Sequence, residues 1–118
     1  MNFVTLIALA QSTLGPPAAL QQSFEMAAAW EVCGALQGTN YASLKEDINV
    51  LADAALAKCE AGEGQFRAAV SQLQINEQGS GFDSRHIDLL VNDERAKVRG
   101  KVVTAILDAR LKAQRKKN

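Results

Sequence analysis

The chain has 118 residues, 47% of them apolar but only 5% aromatic, and its thirteen Lys and Arg balance thirteen Asp and Glu to a formal net charge of zero. This is the length of one domain, long enough to bury a core without help from metals or a disulfide framework. Abundant alanine, few aromatics and only two prolines favour close helix packing over a β-sandwich.

Phe3, Val4, Leu6, Ile7, Leu9, Ala10 and Leu14 mark a first apolar segment over residues 2–14, followed by Gly15-Pro16-Pro17. Glycine can cap a helix and proline can open the next one, so a sharp helix-to-helix turn is expected there. The stretch lies close to Met1 with no base before it, whereas an export signal takes about 15–30 residues and opens on positive charge. It is also short of the roughly 20 residues of a membrane span. The expectation is a buried first helix in a cytoplasmic protein. The small-x-small form of Ala8-Leu9-Ala10 keeps an atypical export signal as the alternative.

The next helix is expected over about residues 17–37, with Met26, Ala29, Trp30, Cys33 and Leu36 on one side and Leu20, Phe24 and Ala27 widening the apolar surface. A helix apolar over most of its circumference is central to a core or shared with another chain. Gly38-Thr39-Asn40 supplies turn chemistry to end it. Ser43-Leu44-Lys45-Glu46 then has the form of a capping box. Leu44, Ile48, Leu51, Ala52, Ala55, Leu56 and Cys59 follow at intervals of three and four, predicting an amphipathic helix that ends near Gly62.

Gly62-Glu63-Gly64 interrupts the pattern, and Phe66, Ala69, Val70 and Leu73 restart it as a shorter helix. The polar run 72–80 and Gly79-Ser80-Gly81 read as a linker or hinge. Asp83 is placed to cap the last helix, with Phe82 and Ile87 as a hydrophobic staple across its first turn. Lys97, Lys101, Thr104, Asp108, Lys112 and Arg115 form a polar stripe along this helix, opposite a broad apolar side. The alternation from Arg95 to Lys101 also suits a strand, but the longer stripe has helical period. The whole predicts an all-α, compact bundle of about five helices with a long C-terminal helix.

Charge is segregated. Residues 1–80 hold three bases against eight acids, and residues 81–118 hold ten bases against five acids. From Arg95 onward, Arg95, Lys97, Arg99, Lys101, Arg110, Lys112, Arg115, Lys116 and Lys117 face one acid, Asp108. These nine bases are the candidate polyanion-binding residues, since several phosphate contacts together give salt-sensitive affinity. Interleaved aromatics for base stacking are missing.

Catalytic signals are weak. His86 has no evident nucleophile or orienting group, and carboxylate pairs such as Asp93-Glu94 diverge by about 100° on a helix. An enzyme without a motif would draw on Arg67, Arg85, Arg95 and Arg99. Cys33 and Cys59 have no metal-ligand spacing and fall on apolar helical faces, so buried free thiols are expected. A single bridge between neighbouring helices, requiring an oxidising compartment, is the alternative. No cofactor or metal is implied.

The leading functional expectation is therefore a non-enzymatic protein-interaction or oligomerisation protein, an adaptor, inhibitor, chaperone-like or structural subunit. Its partner would be another protein or a second copy in a homodimer. The candidate contact residues are Val98, Val102, Val103, Ile106, Leu107 and Leu111, on the broad apolar side of the last helix. A nucleic-acid-binding module using the basic C-terminal region is the alternative.

Overall fold

The structure is a computed structural model that describes residues 16–81 and 83–117. These form four α-helices and no strand: α1 (Pro16–Tyr41), α2 (Ile48–Lys58), α3 (Glu60–Gln78) and α4 (Ser84–Lys117), with a 3-10 turn at Gly79–Gly81. The fold is an all-α bundle, as composition and periodicity predict. The expected first helix over residues 2–14 and the Phe82 staple lie outside the described residues.

The centre of the bundle is α1, which packs most extensively on α4 and then on α3. Its contact with α4 is unusually close. A Cβ added at Gly34 would lie 2.8 Å from Val98 Cγ1, and one at Gly38 would lie 2.7 Å from the Val102 carbonyl oxygen. Gly34 and Gly38, one turn apart, thus let the two backbones meet where any larger residue would hold them apart.

This contact explains why α1 runs on to Tyr41 rather than ending near residue 37. Gly38 is buried against α4, so helical geometry is fixed there by packing and overrides local turn preference. Thr39 bonds back to the Ala35 carbonyl at 3.1 Å, a helix-compatible arrangement.

The capping box is corrected by the structure. Residues 42–47 are non-helical, opening with a turn at Ala42-Ser43, and α2 begins only at Ile48, where the Asp47 carboxylate accepts from Asn49 N at 2.8 Å. The reason lies 64 residues away. Arg110 donates to the carbonyls of Ala42, Leu44 and Glu46 at 3.0, 2.9 and 3.0 Å, holding the loop open in a non-helical path. Asp47, four residues after Ser43, is the first side chain placed to cap.

The break between α2 and α3 falls at Cys59, not at the glycines. Cys33 and Cys59 are disulfide-bonded with Cα atoms 5.9 Å apart, which corrects the expectation of free thiols. The bridge pins the α2–α3 junction to α1. Gly62 and Gly64 then lie inside the first turns of α3, because Gly62 packs against Trp30: an added Cβ would meet three Trp30 side-chain atoms at 3.1–3.2 Å. Trp30 is 1% exposed and stacks obliquely on Phe66 with ring centroids 6.0 Å apart. The disulfide, the indole and Gly62 form one tightly packed knot.

The polar run expected as a linker is helical to Gln78. Gly79, at φ +64°, ends α3 in a conformation that glycine adopts without the Cβ penalty. Asp83 then caps α4 as predicted, its carboxylate accepting from Arg85 N at 2.9 Å. Ile87, Val91, Glu94, Val98, Val102 and Ile106 form the buried face of α4 at intervals of three and four, so the local alternation around Arg95 is part of a continuous helix. No described helix is long and apolar enough to cross a membrane.

Candidate functional site

The six apolar residues expected to contact a partner divide into two groups. Val98, Val102 and Ile106 are fully buried within the chain's own core, because the broad side of α4 packs on α1. Val103 is half-buried, and only Leu107 and Leu111 are exposed. The apolar width of α4 is therefore largely consumed by its own fold.

The basic residues divide similarly. Arg95 donates to Glu63 of α3 and to Asn92, and Arg99 to Asp53 and Asn49 of α2. Arg110 holds the α1–α2 loop. Each is a cross-brace from α4 to another element, and Arg67 does the reverse, reaching from α3 to Asp88 at 2.7 Å. Arg85 pairs with Asp83, holding its carboxyl below the usual value, mainly because that carboxylate also accepts the Arg85 backbone N–H. The four arginines considered for catalysis thus sit in separate ion pairs and do not converge. Lys101, Lys112, Arg115, Lys116 and Lys117 are exposed and take part in no ion pair among the described residues. Lys97 stands at the rim of a cleft described below. His86 is exposed, and no group of three or more His, Cys, Asp or Glu with metal-binding geometry occurs among the described residues.

Two features of the surface were less visible in sequence. The first is a cleft of about 470 Å³ between α1, α3 and α4. Phe24, Ala27, Phe66, Val70, Leu73 and Leu90 provide its apolar walls. Its polar side is made by Glu31 from α1 and by Asp93, Glu94 and Lys97 from α4. Ser23 also borders it, but its hydroxyl is spent on the Leu20 carbonyl at 2.7 Å.

Glu94 is the unusual group. It occupies a position on the buried face of α4 where the neighbouring turns carry Val91 and Val98, and it is 7% exposed. As a carboxylate it leaves Oε2 buried with no hydrogen-bond donor among the described residues. Burial pushes its pKa from 4.5 up to about 7, and Glu31 adds to this by sharing a hydrogen bond with the protonated form and repelling the ionised one. Attraction from Lys97 opposes the rise only weakly. Near neutral pH Glu94 is therefore partly protonated, in a setting where water would leave it ionised. Sequence gives one clue to this: a carboxylate interrupting an apolar stripe at helical spacing. The acid that acts on Glu94 is not the adjacent Asp93, whose side chain diverges from it on the helix, but Glu31, 63 positions earlier.

The second feature is the outer side of α1. Leu20, Phe24, Val32 and Leu36 are 44%, 61%, 67% and 56% exposed, and with exposed Ala28 they form an unbroken i+4 row. Such a row is a raised ridge on a helix surface, inclined to its axis. Large apolar residues aligned over four turns exceed the scattered exposure normal for a folded protein. No protein-family model, curated protein or solved structure matches the chain.

Proposed function

We propose that this protein is a non-enzymatic interaction module that self-associates as a homodimer through the outer side of α1, in an oxidising compartment. The carrying observation is the apolar ridge Leu20, Phe24, Ala28, Val32 and Leu36. Ridges of i+4 type interdigitate with one another in the commonest helix-packing arrangement, and a two-fold contact presents the same ridge from both sides. The expected interaction surface thereby moves from α4, whose apolar side is already engaged, to α1. The Cys33–Cys59 bridge supports the compartment, since cytosolic thiols are normally kept reduced.

Sedimentation over a hundredfold range of concentration tests this reading. A concentration-dependent dimer that reverts to monomer on Val32→Glu with Leu36→Glu supports it. A wild-type chain that is monomeric throughout refutes it.

A second reading, polyanion binding, is favoured by one observation. The end of α4 carries Lys112, Arg115, Lys116 and Lys117 exposed beside a cleft of about 580 Å³ that Arg110, Lys117, Thr39 and Ser43 line. Salt-dependent retention on duplex DNA or RNA that disappears on truncation after Leu111 supports it, and binding indifferent to truncation or salt counts against it.

A further inference from the structure

We infer that the cleft between α1, α3 and α4 is a binding site for a small amphiphilic amine, its ammonium group received by Glu31 and Glu94 and its hydrocarbon body lying against Phe24, Phe66 and Val70. This inference does not rest on self-association. Because Leu20, Phe24 and Ala28 belong both to the cleft and to the α1 ridge, the amine and a second copy compete for that wall, and the binding test is made at concentrations where the chain is monomeric. At about 470 Å³ the cleft falls within the range that holds small organic ligands, and apolar walls with a few converging polar groups are the usual composition of such sites.

The polar groups choose the sign of the ligand. Among the described residues, the titratable groups lining the cleft come from α1 and α4: Glu31, Asp93, Glu94 and Lys97. Three carboxyls against one ammonium favour a cation when ionised. Lys97 is exposed and makes no ion pair with Glu94, and no other cation pairs with that carboxyl among the described residues. Oε2 of Glu94, in a residue that lines the cleft and is more than nine-tenths buried, has no donor among the described residues. An alkylammonium head brings one positive charge and three N–H donors to the carboxyls that line the cleft, supplying the counter-charge that Glu94 lacks. A neutral alcohol brings one donor and no charge. A fatty carboxylate brings a second like charge and no donor.

Binding near neutral pH involves a proton exchange that balances. The amine enters as the ammonium ion, and the proton on Glu94 leaves to buffer, so the ammonium comes to face the Glu94 carboxylate. Lowering the pH retains that proton and weakens binding. Raising the pH above about 7 removes it beforehand and strengthens binding, until the amine itself loses its charge.

The test is titration calorimetry of the full chain at pH 8 with n-octylamine, n-octanol and n-octanoate, each below its micellar concentration. Saturable octylamine binding at least tenfold tighter than that of octanol is expected, with weaker binding at pH 5. Near pH 7 the binding enthalpy should vary with the ionisation enthalpy of the buffer, which reports the released proton. Glu94→Gln, and independently Glu31→Gln, should reduce the preference for the amine while leaving octanol binding unchanged; circular dichroism verifies that each variant is folded. Equal binding of amine and alcohol, preference for octanoate, no saturable binding, or an amine preference untouched in both variants overturns the inference.

Discussion

Replacing Gly38 by alanine should destabilise the protein even though alanine is the better helix former. In an exposed helix interior, glycine to alanine is worth about 1 kcal/mol in favour of alanine. At Gly38 the added methyl would sit 2.7 Å from the Val102 carbonyl oxygen, 3.2 Å from Ala105 Cβ and 3.3 Å from Val102 Cα. Two of these atoms belong to the α4 backbone, so no rotamer change relieves them and the helices must separate. Overpacking of this kind costs about 1–3 kcal/mol, and a backbone obstacle belongs toward its upper end. The net expectation is a loss of about 1–2 kcal/mol. Gly100, mid-way along α4, is the control: an added Cβ there meets nothing within 4 Å beyond its own helix, so Gly100→Ala should gain about 1 kcal/mol. Gly34→Ala meets Val98 Cγ1 at 2.8 Å and Val102 Cγ2 at 3.0 Å, both side-chain atoms. Its cost should therefore shrink in a Val98→Ala background, whereas that of Gly38→Ala should not. Urea unfolding followed by circular dichroism at 222 nm gives all these differences. Finding Gly38→Ala as stable as Gly100→Ala would refute the close-contact reasoning.

Replacing both Cys33 and Cys59 by alanine should cost about 3 kcal/mol, since the bridge closes a loop across a sequence separation of 26 residues in the unfolded chain; urea midpoints of the variant and the oxidised wild type measure it. Glu94 has a folded pKa of about 7, raised from 4.5, so the folded state holds a proton that the unfolded state gives up. Its neutral form imposes no penalty below about pH 4.5, and stability falls as pH rises through 7, by an amount on the order of 1–3 kcal/mol. Thermal melts should show this decline in the wild type and lose most of it in Glu94→Gln; identical pH profiles would contradict the assignment. Arg110→Lys should free residues 42–47, because a single ammonium cannot reproduce the planar contacts to three carbonyls. The expected loss is about 1–2 kcal/mol, with faster amide hydrogen exchange concentrated in that loop.

Helix identity was largely legible from local pattern, but element boundaries and the cleft were not. The Asp83 cap needed only Asp83 and the Arg85 amide two residues on. The Ser43-to-Glu46 box failed because Arg110 from a distant helix occupies the loop's carbonyls, a competitor no local window contains. Likewise Gly38 looks like a turn residue until Val102 is placed against it. The apolar side of α4 was recognised, yet whether it faced the same chain or another depended on how closely α1 approached. That approach follows from Gly34 and Gly38 together with the β-branched Val98 and Val102.

What the sequence determined by itself is the helical class, the cap of α4, the period of its buried face and the segregation of charge. All of these arise from residues within a few turns of one another, whose spacing alone fixes which side chains share a face. Tertiary structure alone decided that Cys33 and Cys59 meet, that Arg95, Arg99 and Arg110 brace the bundle, and that Glu31 and Glu94 share an apolar cleft. Their properties depend on separations of a few ångströms between residues 26 to 68 positions apart. The consequence is sharpest at Glu94, whose carboxyl titrates near neutrality because folding takes it out of water and brings a second acid beside it.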